Sequence, residues 1–147
     1  MKRWEKSVSI NAPADKVFAY VSDFTRHGEW SSNGLQVSRE GSGPIAVGAK
    51  FSTEAKQFGT QREQSTVTTM NPSQEFGWES VGALGKVHHW FSLRQDSGAT
   101  TLTKGAEFVE QKFLAKLTGF KISKDLPKAL ESDLAKIKST VEGSAHL

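Results

Sequence analysis

Cysteine is absent from this chain of 147 residues, which excludes disulfide frameworks, cysteine nucleophiles and thiolate metal sites. No run of about 20 apolar residues occurs, so a membrane-spanning helix is not expected. The basic start of the chain is not followed by the apolar stretch of roughly 7–15 residues that marks a secretory signal. These absences predict a protein of the cytoplasm.

Charge of one sign is not concentrated either, because 19 basic and 16 acidic residues are interspersed and leave a net charge of only +3. Nucleic-acid binding usually needs a basic patch or stripe, so no nucleic-acid partner is expected. With 36% apolar and 24% charged residues, the composition is that of a folded globular domain. The length is typical of one domain, which we place over residues 1–147.

Familiar catalytic motifs are also missing from the sequence. It contains no Gly-x-Ser-x-Gly elbow, no His-Glu-x-x-His metal helix and no phosphate loop ending in Gly-Lys-Ser or Gly-Lys-Thr. The run from Gly41 to Pro44 has the composition of a phosphate cradle, but no helix start follows it, and we predict a turn there. No metal, nucleotide or other cofactor is therefore expected.

The order of hydrophobic patterns predicts an α+β domain. Alternation over residues 3–10 indicates a first strand, residues 13–22 have the spacing of a short amphipathic helix, and residues 25–30 form a second short helical turn. Six further strands follow as an antiparallel meander, with turn residues between them. These strands are predicted at residues 35–39, 49–57, 60–70, 75–81, 86–94 and 100–108.

The last third of the chain changes to a helical period. Apolar residues recur at steps of three and four from Leu126 to Val141, which predicts a long helix packed on the sheet. Pro127 lies either in the first turn of this helix or at a kink in a longer helix that begins near Lys112.

Four stretches of the sequence, in this order, carry a resemblance to a known superfamily. They are Ser9 to Phe18 followed by Asp23 and Trp30, Val47 to Phe51, Phe91 to Leu93 followed by Gly98 to Thr103, and Leu134 to Glu142. The chain resembles the helix-grip superfamily, which includes START lipid-transfer domains, birch-pollen-allergen-like proteins and the polyketide cyclase/dehydrase and lipid-transport group. The resemblance implies a curved seven-stranded antiparallel sheet around a long C-terminal helix, with two short helices after the first strand.

The resemblance also implies a cavity between sheet and helix that holds a lipid, polyketide or other apolar molecule. Aromatic residues make up 10% of the chain and include four tryptophans, enough to line such a cavity. The same rings would also serve as ordinary core packing. The candidate lining side chains from separate elements are Trp30, Phe51, Trp78, Phe91, Phe113 and Phe120.

Adjacent histidines on the sixth strand point to opposite faces, so His88 and His89 cannot bind one metal together. His89 shares its face with Phe91, which makes it the candidate for the concave face. There the imidazole could orient a ligand hydroxyl or act as a general base, or it could be a hydrogen-bonded histidine at the edge of the core. His27 is expected to face solvent, as is His146.

Polar residues on both faces of the third and fourth strands argue against an entirely apolar cavity. Arg62 or Glu63 is a candidate to meet the ligand, and a slip of one residue in register decides which of them points inward. The apolar segment of residues 113–120, with Leu117 at its centre, is either a lid over the cavity or the site of a transient membrane contact. The lysines of the last helix alternate with acidic residues and indicate a solvated face.

The leading hypothesis is a protein that binds or carries a hydrophobic or amphipathic small molecule, without stable membrane insertion, as a monomer or homodimer. A rival hypothesis is a cyclase- or dehydratase-like enzyme in which His89 or an inward carboxylate moves a proton. A third is a protein-interaction module whose interior is filled by side chains. Binding without catalysis is the preferred interpretation, because no second acid/base partner is evident beside His89.

Overall fold

The chain folds as an α+β domain in a computed structural model that describes residues 2–56 and 59–144. Within these ranges, the strands form one antiparallel sheet in the order β1-β7-β6-β5-β4-β3-β2. The strands are β1 (Arg3–Ile10), β2 (Gln36–Glu40), β3 (Lys50–Lys56), β4 (Thr60–Asn71), β5 (Glu75–Gly82), β6 (Gly85–Asp96) and β7 (Ala99–Gln111). This seven-stranded sheet with its long C-terminal helix confirms the predicted helix-grip fold.

Two short helices follow β1, as the sequence predicts. Pro13 is the N-cap residue of α1 (Ala14–Val21), and Asp15 lies in the first turn, where a negative charge stabilises the helix N-terminus. A 3₁₀ helix (Phe24–Arg26) then leads directly into α2 (His27–Trp30). The side chain of Asp23 caps the 3₁₀ helix by accepting a hydrogen bond from the Thr25 backbone N–H at 3.2 Å.

The C-terminal helical region begins earlier than Pro127. It consists of α3 (Phe113–Leu117) and α4 (Gly119–Ser144), separated only at Thr118, so Pro127 lies inside α4. The structure thus favours the alternative of a longer helical region starting near Lys112. Among the described residues, no helix is long and apolar enough to cross a bilayer.

The predicted apolar stripe of α4 packs on the sheet. Leu134, Ile137 and Val141 are buried together with residues of β1, β5, β6 and β7 in the main core. A second, smaller cluster holds α3 and the start of α4, and it contains Phe108, Ala115 and Ile122. The predicted end of the third strand at Gln57 lies outside the described residues.

Candidate functional site

Aromatic rings from separate elements converge between the sheet and α4. Trp30 contacts Phe91 edge-on with ring centroids 5.5 Å apart, and Trp78 lies 5.7 Å from the same ring. Phe51 stacks on Phe24 at 4.4 Å. The structure therefore brings together four of the six candidate rings, and these rings fill much of the interior.

A cavity of about 100 Å³ remains beside these rings, and we call it the inner cavity. Its apolar wall includes Phe24, Trp30 and Trp78. Its polar wall draws on the sheet, on α4 and on the segment after α2. The polar and charged lining residues are His27, Ser31, Asn33, Thr53, Glu63, Ser65, Ser80, His89, Lys104 and Asp133.

Strand register decides which of the neighbouring residues Arg62 and Glu63 reaches this cavity. Glu63 pairs with Thr53, and both side chains line the inner cavity. Arg62 points to the other face, where its side chain is 79% exposed and lies 3.5 Å from the Glu54 carboxylate. Of these two candidates, only Glu63 lines the cavity.

The Glu63 side chain is accommodated by the absence of a side chain at Gly82. A Cβ atom at Gly82 would lie 2.8 Å from the Glu63 Cγ, closer than such contacts allow. Burial raises the pKa of the Glu63 carboxyl above its usual value, because removal from water disfavours the charged form. The cavity thus contains a carboxyl group that holds its proton to higher pH than an exposed one.

A buried ion pair joins the sheet to the helix at the same cavity. Lys104 Nζ lies 3.5 Å from Asp133 Oδ2, and both side chains are less than a tenth exposed. Asp133 also accepts a hydrogen bond of 2.9 Å from the Ser32 backbone N–H. Burial lowers the pKa of Lys104, while the neighbouring Asp133 carboxylate opposes that shift.

His27 is buried, not solvent-facing, so the sequence-based expectation for it was wrong. Its ring stacks on Phe24 at 4.3 Å, and its Nε2 donates a hydrogen bond of 2.8 Å to the Val21 carbonyl. A carbonyl can only accept, so Nε2 carries the proton of the neutral ring. Burial lowers the pKa of His27 to about 3. The ring lies in the interior because it packs among aromatic side chains, with the Trp30 ring 4.7 Å and the Trp78 ring 5.0 Å away.

Two polar atoms at this cavity lack a partner in the part of the chain that the structure describes. They are the Nδ1 of His89 and the indole Nε1 of Trp30, and both are buried. The His89 ring lies parallel to Trp78, with centroids 5.1 Å apart. Burial, reinforced by the Lys104 charge, lowers the pKa of His89 well below its usual value, so its ring is neutral at physiological pH.

His88 points to the opposite face of the sheet, in agreement with the predicted alternation. Its ring stacks on Trp90 at 5.5 Å, and Trp90 in turn covers Gly105, where a Cβ atom would lie only 2.1 Å from the indole. Arg3 lies over the Trp90 ring at 4.5 Å. The adjacent histidines therefore belong to separate environments. Within the described ranges, no three His, Asp or Glu side chains form a group that could hold a metal ion.

The other candidates do not line the inner cavity. Phe51 and Phe91 are buried in the main core beside it. Phe113, Leu117 and Phe120 lie on the surface of α3 and the first turn of α4. Sequence reasoning missed Lys104. It was wrong for Asp133, which it assigned with the lysines of the last helix to a solvated face, although Asp133 is buried. The available signal was the position of each charged residue among mainly apolar neighbours on one face of its element.

A larger concavity adjoins the inner cavity on the outside. A groove of about 440 Å³ runs between α2 and α4, and Trp30 and Ser31 line both this groove and the inner cavity. These two residues therefore form a wall between the interior and the surface. The hydrogen bond from Ser32 to Asp133 fixes the segment beside that wall to α4.

The seven-stranded antiparallel sheet, the long C-terminal helix and the short helices after β1 define a helix-grip protein. The family model described as "Polyketide cyclase / dehydrase and lipid transport" matches residues 1–142, and the chain belongs to this family. The resemblance noted from the sequence is thereby confirmed.

A curated relative, "Uncharacterized protein Rv0088" of Mycobacterium tuberculosis, is 36% identical over 107 residues, which cover 71% of this chain and 46% of that protein. The chain spans about half the length of the curated relatives it matches.

Solved structures share the fold at low sequence identity. The protein TTHA0849 from Thermus thermophilus has a TM-score of 0.79 at 13% identity, with 98% of this chain and 99% of that chain covered. The Zhui aromatase/cyclase from Streptomyces sp. R1128 has a TM-score of 0.72 at 17% identity, with 99% and 93% covered. At these identities, the likeness is one of fold alone.

Proposed function

We propose that this chain binds a small amphipathic molecule in the inner cavity, with an aromatic or other apolar group against the rings and an oxygen-bearing group against the polar wall. A lipid, a polyketide or a simple aromatic compound would each supply such groups. Binding and carriage in the cytoplasm is the role we favour over catalysis.

The observation that carries this proposal is the pair of unpartnered polar atoms at the cavity. The Trp30 indole N–H can only donate, and a buried donor without a partner costs about 1–3 kcal/mol. The Nδ1 of the neutral His89 ring donates or accepts according to its tautomer. A ligand carbonyl would accept a hydrogen bond from the Trp30 indole, and a ligand hydroxyl would pair with either atom.

The volume of the cavity limits the size of the ligand. A volume of about 100 Å³ is smaller than the roughly 300–1,000 Å³ of sites for drug-sized molecules. It is closer to the ~150 Å³ cavity that holds a benzene ring. The inner cavity therefore suits one ring, and a longer ligand would extend past Trp30 into the groove between α2 and α4.

The test is a titration of the 15N-labelled protein with phenol, observed at the four tryptophan indole signals. Phenol should shift the Trp30 and Trp78 signals saturably, whereas the signal of Trp90, on the outer face of the sheet, should stay in place. Benzene, which lacks the hydroxyl, should bind more weakly, by about 2- to 10-fold for one hydrogen bond.

Assignment and control come from single substitutions. Trp30→Phe should remove its own indole signal and reduce the preference for phenol over benzene, because it removes one of the two unpartnered atoms but keeps an apolar ring. Trp90→Phe is the matched control and should leave that preference unchanged. If neither phenol nor a larger probe such as 2-naphthol shifted the Trp30 or Trp78 signal, the interior would be a filled core and the proposal would fail.

A second candidate function is proton transfer on the bound molecule. It is favoured by one observation, that a carboxyl with a raised pKa and an imidazole with a lowered pKa line the same cavity. Environments that move two pKa values in this way suit an acid and a base for one reaction. Substitutions of Glu63 and His89 separate the two functions, because they remove the titrating groups and leave the rings of the cavity in place.

A further inference from the structure

Large apolar side chains are exposed where the C-terminal helical region begins. Phe113 is 73% exposed, Leu117 67% and Phe120 85%. The inward side of the same two helices is already packed, because Ala115 and Ile122 are buried in the second apolar cluster. The exposed side chains therefore do not contribute to the core, and a monomer leaves them in water.

Basic residues accompany these side chains. Residues 112–124, which we call the basic apolar segment, contain four lysines and no acidic residue. Lys112, Lys116 and Lys124 are exposed. Apolar side chains among lysines match the interface of an anionic bilayer, because the rings enter the acyl boundary while the ammonium groups meet the negative headgroups.

The segment lies at the end of the sheet where Glu63 lines the inner cavity. The Lys112 backbone N–H donates to the Leu84 carbonyl at 3.1 Å, within the turn that joins β5 to β6. Gly82, at the end of β5, is the residue whose missing side chain accommodates Glu63. A partner surface that bound the basic apolar segment would therefore lie close to this end of the inner cavity.

We propose that the basic apolar segment docks on the surface of an anionic lipid bilayer, with Phe113, Leu117 and Phe120 inserted at the headgroup–acyl boundary. A second copy of the chain fits this surface less well. Two segments facing each other across a two-fold axis would oppose lysines to lysines, with no acidic residue in either segment to pair with them. This proposal concerns a surface outside the inner cavity and does not depend on what the cavity binds.

The test is co-sedimentation of the protein with large unilamellar vesicles. Vesicles of mixed phosphatidylcholine and phosphatidylserine should bind the protein, vesicles of phosphatidylcholine alone should bind it more weakly, and added salt should weaken the binding to the mixed vesicles. The double variant Phe113→Gln/Phe120→Gln should abolish binding to both kinds of vesicle. Lys112→Gln/Lys116→Gln/Lys124→Gln should weaken binding to mixed vesicles by about fivefold per lysine.

Matched controls make the same chemical changes elsewhere on the surface. Val47→Gln changes another exposed apolar residue, 64% exposed, and Lys16→Gln/Lys50→Gln/Lys136→Gln removes three charges from other faces. Both should bind mixed vesicles as the unmodified protein does. Circular dichroism and urea unfolding confirm that each variant is folded, as expected for exposed positions.

Three results would overturn the proposal. The first is no binding of the unmodified protein to mixed vesicles, and the second is an equal loss of binding in the control variants. The third is a concentration-dependent dimer in sedimentation velocity that dissociates in Phe113→Gln/Phe120→Gln while vesicles fail to bind, which would assign the segment to a second copy of the chain.

Discussion

Lys104 Nζ lies 3.5 Å from Asp133 Oδ2, and this ion pair connects strand β7 to helix α4 inside the sheet–helix interface. Both side chains are less than a tenth exposed. A charge buried at such a position is costly unless its partner is present. The pair therefore joins the sheet to the helix and places two opposite charges at the wall of the inner cavity.

Lys104→Met should destabilise the fold by about 3–5 kcal/mol, because it leaves the Asp133 carboxylate buried without its cation. The double variant Lys104→Met/Asp133→Leu should recover most of that loss. Urea denaturation measures both. The matched control is Lys6→Met, which breaks a strand–helix pair of 3.0 Å to Glu131 that is largely exposed and should cost less than ~1 kcal/mol. Equal effects of Lys104→Met and Lys6→Met would contradict a buried pair.

Leu134→Ala should destabilise the protein by about 2–5 kcal/mol, because Leu134 is 2% exposed in the main core and its truncation leaves a cavity. Lys136→Ala, two residues further on the exposed side of α4, should change stability by less than ~0.5 kcal/mol. Urea midpoints compare the two variants. A midpoint unchanged by Leu134→Ala would remove this part of α4 from the core.

The general architecture was predictable because the longer strands and the C-terminal helix have enough residues to display their period. The alternation in β6 placed His89 and Phe91 on one face, and the pairings of Trp78 with His89 and of Phe76 with Phe91 confirm that parity. The stripe through Leu134 and Ile137 likewise identified the buried face of α4. In these elements, several residues repeat the same pattern, so one exception does not change the prediction.

The polar half of the cavity could not be predicted in the same way. Alternation says that Arg62 and Glu63 point to opposite faces, but only the pairing of Glu63 with Thr53 shows which one is inside. His27 begins a helix of four residues, too short to reveal a buried face by its period. Asp133 meets Lys104 from a distant part of the chain, and such a contact has no local pattern.

Two buried histidines predict a loss of stability on acidification. Burial lowers the pKa of His27 from 6.5 to about 3, and burial followed by the Lys104 charge lowers that of His89. The unfolded chain binds these protons near pH 6.5 while the folded chain does not, so this stabilisation is complete above that pH. It should be lost at about 1.4 kcal/mol per pH unit for each histidine as the pH falls toward the folded pKa values.

Urea denaturation at a series of pH values between about 3 and 6.5 measures how steeply the stability falls with pH. His89→Gln should remove the contribution of one histidine to the slope of stability against pH. Trp78→Phe, which removes no titrating group, should alter stability but keep the slope. Glu63 acts in the opposite sense, because its raised pKa makes the folded chain hold the extra proton just above the usual carboxyl pKa. Glu63→Gln should therefore steepen the loss in that interval. An unchanged slope in His89→Gln would mean that its ring is charged in the folded protein.

His89→Gln and Glu63→Gln decide between a carrier and a catalyst, because each removes a titrating group from the cavity while keeping its approximate size and a hydrogen-bonding atom. For a carrier, we expect both variants to fold and to change phenol affinity by less than about 10-fold, the range of one hydrogen bond. If the protein is a catalyst, both variants should instead retain binding, and their turnover should fall by about 10²–10⁴, the usual contribution of a positioned acid or base. Isothermal titration and turnover of a polyketide-like test substrate measure the two quantities on the same samples. We expect the carrier result, and a pH-dependent turnover abolished by His89→Gln with binding intact would reverse that conclusion.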